Sequence, residues 1–284
     1  MEEKIVSKFI EWLHEDDPYW DITTEALIPN NIVVKSAIIA KREGIVACID
    51  EARLILEKLG FRIEFSVNEG SNVEPGDHIL VFVGNAKKTL VIERTLLNLL
   101  MHCSGVATLA KVFVDKVREI NPKVRVAITR KTLPGLRYFE KKAAWIAGCD
   151  THRFGLSDSI LIKDNHLAII GSVREAIEQA RSKSSFTKRI EIEVNNVEDA
   201  VEAVEAGADI VLLDNFKPED VGLLIGILRE KGLRDRVLIE VSGGVGLDNI
   251  AEYVKYDIDV VSVGAITHSA PALDMSLEIL EVIK

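Results

Sequence analysis

The chain has 284 residues, 48% of them hydrophobic and 28% charged, which is enough apolar material for a large core and, at ~150 residues per domain, for about two domains. This composition excludes disordered, collagen-like and coiled-coil chains, and a formal net charge of −10 argues against general nucleic-acid binding. Three cysteines, Cys48, Cys103 and Cys149, are odd in number and lack CxxC spacing, so they predict a reduced cytoplasmic set and not a disulfide framework or a zinc site.

The first residues are acidic and amphipathic, with Ile5, Phe9, Trp12 and Leu13 on one helical face, and they lack the basic and apolar regions of a signal peptide. No unbroken apolar run approaches the ~18–20 residues of a membrane span, so no membrane partner is expected. Residues 32–40 and 44–48 read as strands, and 50–59 as a helix that Gly60 ends. Residues 61–67 alternate, and Pro75-Gly76 turns the chain into a further strand at 78–83. A helix over 87–101 leads to Ser104-Gly105 and then to another helix at 107–120. The expected first domain therefore covers 1–105, and the second 106–284.

The second domain has a different rhythm. Short apolar runs recur at 124–128, 159–162, 190–194, 209–213, 236–241 and 259–263, separated by helical stretches. Ser172-Val173-Arg174-Glu175 has the capping-box pattern, Pro218 suits a first helical residue, and Gly207 and Gly232 fall where helices should stop. Strand–helix alternation over this length predicts a parallel sheet buried on both faces. A barrel and a doubly wound sheet both fit. A last helix over 272–284 is expected to return to the first domain.

In parallel α/β folds, functional groups collect beyond the carboxyl ends of the strands. The six predicted strands end at Thr129-Arg130-Lys131, Lys163-Asp164-Asn165-His166, Glu193, Asp214-Asn215, Ser242-Gly243-Gly244 and Gly264. Charge is sorted along the chain: residues 123–166 hold nine basic and four acidic side chains inside an acidic protein. Arg130, Lys131, Arg137, Arg153 and Lys163 suit an acidic small molecule, because guanidinium matches carboxylate or phosphate with two donors and lysine adds a compact charge. Lys141 and Lys142 are expected on a solvated helix face. Glu193 and Asp214, on successive strands, offer the oxygen ligands that Mg²⁺ prefers. The glycines at 243–244 and 264 allow backbone N–H groups to approach a phosphate. A dinucleotide fingerprint fails, because Asn249 stands at the third glycine position and the next strand ends in Gly264 where an acid is required. His152, His166 and His268 are candidate donors or acid–base groups, whereas His14, His78 and His102 read as surface or core residues.

These stretches resemble a known family. Glu93-Arg94-Thr95-Leu96-Leu97-Asn98, Thr129-Arg130-Lys131-Thr132-Leu133-Pro134-Gly135-Leu136-Arg137, His152-Arg153-Phe154-Gly155-Leu156, Ile162-Lys163-Asp164-Asn165-His166, Leu213-Asp214-Asn215-Phe216 and Ser242-Gly243-Gly244 occur in the order found in quinolinate phosphoribosyltransferases. Asp21-Ile22-Thr23-Thr24 and Gly264-Ala265-Ile266-Thr267-His268-Ser269 also match. The resemblance implies an α/β chain: an N-terminal α/β sandwich followed by an incomplete α/β barrel of about seven strands. It implies Arg130, Lys131, His152, Arg153 and Lys163 as ligands of the quinolinate carboxylates, with Arg94 supplied by the partner subunit of a homodimer or larger assembly. It further implies Glu193 and Asp214 for the ribose hydroxyls and Mg²⁺ of phosphoribosyl pyrophosphate, and Ser242, Gly243, Gly244 and Gly264 for its 5-phosphate. Lys131, Lys163, Glu193 and Asp214 would carry the catalysis. Two departures stand out: Thr151 replaces the usual Asn before His-Arg, and Ala147-Gly148-Cys149 replaces a glycine triplet. The alternatives are a paralogous phosphoribosyltransferase acting on another heteroaromatic acid, and a phosphate-ligand sensor without turnover.

Overall fold

The computed structural model describes residues 1–17 and 19–283. In chain order the elements are α1 (Glu2–Asp16), α2 (Ile22–Leu27), β1 (Val33–Ala40), β2 (Gly44–Ile45), α3 (Ile49–Lys58), β3 (Arg62–Ser66), β4 (Asn72–Val73), β5 (His78–Asn85) and α4 (Ala86–Ile120). There follow β6 (Arg125–Ala127), α5 (Arg137–Ile146), β7 (Ile160–Ile162), α6 (Asp164–Ile170), α7 (Val173–Lys183), β8 (Ile190–Val194), α8 (Val197–Glu205) and β9 (Ile210–Asp214). The chain ends with α9 (Pro218–Glu230), a 3-10 turn, β10 (Leu238–Ser242), α10 (Ile250–Val254), β11 (Val260–Ser262), α11 (Ala265–His268) and β12 (Met275–Ile283). It divides into two compact units.

The first unit holds residues 1–109, 138–147 and 270–284. Its four-stranded antiparallel sheet has the order β12-β1-β5-β3, beside a two-stranded β2–β4 ribbon. Alternate residues of β1 and β5 face the helices, where Ile38, Leu80 and Phe82 are wholly buried. Each such side chain contributes roughly 1.5–3 kcal/mol relative to exposure. The expected helix at 272–284 is instead strand β12, paired antiparallel to β1 from Val33↔Ile283 to Ala40↔Met275. It does return to the first unit. Its Glu278 and Glu281 lie on an outermost strand, where charge discourages further strand addition.

The expected break at Ser104-Gly105 is also absent, since α4 runs through it as one 35-residue helix. Both residues are there for close approach. Ser104 Oγ accepts the Ala47 N–H at 3.0 Å, and a Cβ on Gly105 would overlap the Pro271 carbonyl. Gly105→Ala should therefore lower the unfolding free energy by about 2 kcal/mol or more, read from the urea midpoint, on the scale of forcing an extra methyl into a packed site. A shift below about 0.5 kcal/mol would mean that the 270–272 backbone gives way freely. One 18-residue window of α4 is apolar enough to cross a membrane, but most of it is buried within the protein, as in a core helix.

Lys141 and Lys142 correct a third expectation. Lys141 is fully buried, and Lys142 bonds Glu51 at 2.6 Å and Glu69 at 3.1 Å. Burial disfavours the Lys142 charge, but the two carboxylates outweigh it and hold its pKa above the ordinary lysine value. Helix α5 from Tyr138 onward belongs to this first unit, beyond the boundary expected at 105.

The second unit holds residues 110–137 and 148–269 around a parallel sheet of order β6-β11-β10-β9-β8-β7. The strand that opens this unit pairs with the one that ends it, β6 with β11, so the sheet curls back to its own start as in a barrel and unlike a doubly wound sheet. A single parallel bridge, Ala127↔Asp150, marks a seventh strand position beside β6. Among the described residues nothing pairs that position with β7, so the barrel is incomplete. The capping signals act as the sequence predicts: Ser172 accepts the Glu175 N–H at 3.2 Å, Pro218 opens α9, and Gly207 and Gly232 have left-handed φ values of +88° and +68°.

Candidate active site

Each barrel strand turns alternate residues inward, so its last inward position reaches the rim and the one two residues earlier lies deeper. On β8 these positions are Glu193 and Glu191, on β9 Asp214 and Leu212, on β10 Ser242 and Glu240, and on β7 and its extension Lys163 and Leu161. All but Glu191 line one cleft of about 530 Å³ at the carboxyl ends, with Thr129, Arg130, Lys131, His152, Arg153, Asn215, Gly243, Gly244 and Ser262. The cations come from the β6 and β7 ends and from the loop after Asp150, and the rim carboxylates come from β8 and β9.

Several features mark the cationic side as a place for an anion. Among the described residues, Arg130 Nε is a buried donor with no hydrogen-bond partner. Burial, and then the charge of Arg130 nearby, lower the pKa of Arg153, so two guanidinium groups crowd one region. Lys163 forms an ion pair with Glu193 across the cleft. A carboxylate ligand would satisfy the first two features and compete with Glu193 for the third.

The glycine corner is built from backbone. Gly243 and Gly244 have φ of +83° and +62°, and a Cβ on Gly243 would stand 2.7 Å from Asn215 N. Asn215 is itself left-handed at φ +55°, a conformation asparagine tolerates better than most residues. Gly264 does not line the cleft but adjoins it: a Cβ there would lie 3.1 Å from Lys131 Cδ.

The floor was not legible as a site in the sequence. Glu191 and Glu240 are almost completely buried. Their carboxylates lie 3.3 and 3.4 Å from His152 Nε2, and Ser262 donates to Glu240 at 2.5 Å. Burial disfavours the His152 charge, but the two carboxylates outweigh it and push its pKa up to about 10. Burial in turn raises the pKa of Glu191. The missed signal was periodicity: a glutamate two residues before an inward-facing strand end must face the same interior.

Some expected residues lie elsewhere. Arg137 braces the loops, donating to Thr132 Oγ1 and the Phe154 carbonyl, both at 3.2 Å, and is outside the cleft lining. His166 Nδ1 accepts the Lys163 N–H at 2.9 Å, and His268 Nδ1 lies 2.6 Å from Ser269 Oγ. Arg94 is exposed on α4 and does not line the cleft. The altered glycine triplet costs little, because Gly148 alone of residues 147–149 needs a left-handed φ, at +97°. The Thr151 hydroxyl donates to the His152 carbonyl at 3.1 Å. The described cysteines are buried and free, and burial pushes the Cys149 thiol up to about 12, so none is poised as a nucleophile.

Comparison with known proteins gives the family. Residues 21–104 match the model of the quinolinate phosphoribosyl transferase N-terminal domain, and residues 106–278 match that of the C-terminal domain. A probable nicotinate-nucleotide pyrophosphorylase (carboxylating) of Methanocaldococcus jannaschii is 47% identical over 279 residues, covering 98% of this chain and 96% of the relative. The human nicotinate-nucleotide pyrophosphorylase (carboxylating) is 38% identical over 268 residues, covering 94% of this chain and 89% of the relative. The crystal structure of NadC from Streptococcus pyogenes superposes with a TM-score of 0.91 at 34% identity, covering 100% of this chain and 99% of that one. Likeness that extends through both domains, and is not confined to a widely shared barrel scaffold, carries the assignment: the chain belongs to the quinolinate phosphoribosyltransferase family.

Proposed function

We propose that the protein transfers the phosphoribosyl group of phosphoribosyl pyrophosphate to the ring nitrogen of quinolinate with loss of CO2, giving nicotinate mononucleotide and pyrophosphate for NAD biosynthesis. The observation that carries this reading is the cleft itself. Arg130, Lys131, Arg153 and Lys163 face Glu193, Asp214 and the Ser242–Gly244 corner in a space of about 530 Å³. A dianionic acceptor suits the first group, and a phosphorylated sugar suits the second.

In this reading Arg130 and Arg153 grip the carboxylates, and Lys131 and Lys163 hold the ring with its nitrogen toward C1 of the ribose. Glu193 and Asp214 take the ribose hydroxyls, and Ser242 with the backbone of Gly243, Gly244 and Gly264 takes the 5-phosphate. Glu193 and Asp214 present an all-oxygen donor pair in the cleft, which fits Mg²⁺. That ion would neutralise charge on the pyrophosphate. The nitrogen lone pair forms the bond to C1 while the C1–O bond breaks and pyrophosphate leaves with its electrons. The ring nitrogen is then cationic. Cleavage of the bond between C2 and its carboxylate releases CO2, and the electron pair left at C2 is stabilised beside N⁺ until a proton replaces it. Fixed cations in the cleft stabilise the departing charge without reorganising.

The assay mixes protein, Mg²⁺, phosphoribosyl pyrophosphate and quinolinate and reads pyrophosphate and CO2. Equal release of both is expected, with little from nicotinate. Transfer to quinolinate without CO2, or preference for another acid, would favour the paralogous activity, and ligand binding without pyrophosphate would favour a sensor.

The reading includes a cytoplasmic homodimer in which Arg94 enters the partner's cleft. Its exposure on α4 and the free thiols fit this arrangement. Arg94→Ala and Lys131→Ala should each be nearly inactive alone, yet their mixture after subunit exchange should recover about a quarter of wild-type activity. Half the dimers are then mixed, and one of their two sites is intact. No recovery in dimers shown to have exchanged would place Arg94 outside the shared site.

A further inference from the structure

The left-handed backbone of His152 needs an explanation. At φ +52° it adopts a conformation that L side chains resist, and it does so between the bridge residue Asp150 and the cleft residue Arg153. Three sets of contacts hold it. Its N–H donates to Asp150 Oδ1 at 2.8 Å, its Nδ1 accepts the Arg153 N–H at 2.7 Å, and its Nε2 faces Glu191 and Glu240 on the floor.

These contacts decide what the cluster does. An Nδ1 that accepts an amide N–H uses its lone pair, so the ring proton sits on Nε2, pointing down at the two carboxylates. The floor carboxylates favour a second proton, but on Nδ1 it would give up the amide bond, so the arrangement with the Arg153 N–H on Nδ1 is that of the neutral ring, and the Nε2 proton stays in place in both states. In either state Nε2 has no lone pair for a metal, although the three side chains lie close enough to surround one. Both ring nitrogens are thus engaged by protein groups.

We propose that Glu191 and Glu240 are positioning residues that hold the His152 ring from beneath, and that the ring, through the Arg153 amide, sets the guanidinium that meets the acceptor's carboxylate. This rests on the function proposed above and adds to it a second layer beneath the substrate. His152 then acts on the acid through Arg153. The support is directional: the floor contacts reach the cationic side of the cleft, and none of them reaches Ser242–Gly244. Quinolinate affinity should depend on the floor, and phosphoribosyl pyrophosphate affinity should not.

The test compares Glu240→Ala with Glu240→Gln by titration calorimetry, measuring quinolinate and phosphoribosyl pyrophosphate separately. Glu240→Ala should weaken quinolinate about tenfold or more and leave phosphoribosyl pyrophosphate within about twofold. Glu240→Gln should recover most of the loss, because the amide oxygen still accepts the Nε2 proton and the Ser262 hydroxyl can turn to accept from the amide N–H. Unchanged quinolinate binding, or equal weakening of both ligands, would overturn the proposal. If Glu240→Ala does not fold, Glu191→Ala on β8, two strands along the sheet, reads the same difference. Wild-type turnover is the control: a wild-type protein that never converts quinolinate contradicts the proposed function, whereas an active wild type with indifferent floor variants contradicts only the positioning role.

Discussion

Lys163→Ala is expected to lower kcat/KM for quinolinate at least ~100-fold, the scale of losing one preorganised donor at a developing charge. The position explains the size. Lys163 follows β7 directly and its ammonium bonds Glu193 across the cleft. Its removal deletes a cation for the acid and also strips Glu193 of its partner. With Asp214 lining the same cleft, the Glu193 carboxylate, without its partner, would be held less firmly as a ribose or cation ligand. Both substrates should therefore suffer in Lys163→Ala. In Lys131→Ala, whose ammonium has no such tie among the described residues, the loss should fall mainly on quinolinate. Steady-state kinetics with each substrate varied separates the two patterns, and near-normal turnover in either variant would remove that lysine from the site.

The second large effect is expected at Gly243. Its φ of +83° disfavours any side chain, and a Cβ would meet the Asn215 backbone at 2.7 Å. Gly243→Ala must push apart two strand ends, one of which carries Asp214. The KM for phosphoribosyl pyrophosphate should rise at least ~100-fold, since the backbone donors and the carboxylate move together, while quinolinate binding measured alone stays near wild type. Gly246→Ala is the matched control, because nothing lies within 4 Å of its added Cβ and its φ is not left-handed. Equal effects at the two positions would mean that the 242–246 turn matters only as a flexible connection.

The parallel α/β unit was legible because its strands are buried on both faces and read as unbroken Val and Ile runs between well-marked helix ends, but that pattern suits a doubly wound sheet equally, and only the motif resemblance pointed to a barrel. The ends of those strands named most of the cleft, since a parallel barrel gathers them at one rim. What escaped depended on partners distant in sequence. Residues 275–283 carry Glu278 and Glu281 at a helical spacing, and only pairing with β1, some 240 residues earlier, makes them a strand. Ser104-Gly105 looks like a break until the Ala47 amide and the Pro271 carbonyl are seen to need a small residue on each side. Lys142 looks solvated until Glu51 and Glu69 come from two other elements to meet it. Asp21, part of the motif near the start, is a helix cap, accepting the Thr24 N–H at 3.0 Å. The floor glutamates sit inside strands whose apolar runs give no other sign of a site. A charge kept in such a strand, in phase with the rim, marks the layer below a site.

Where the acid binds decides the function of the cleft. A crystal structure with quinolinate soaked in should place the ring carboxylates within hydrogen-bond distance of Arg130 and Arg153, with Lys131 and Lys163 alongside and the ring nitrogen facing Glu193 and Asp214. A ring bound away from those cations, or carboxylates paired with other groups in the cleft, would contradict it.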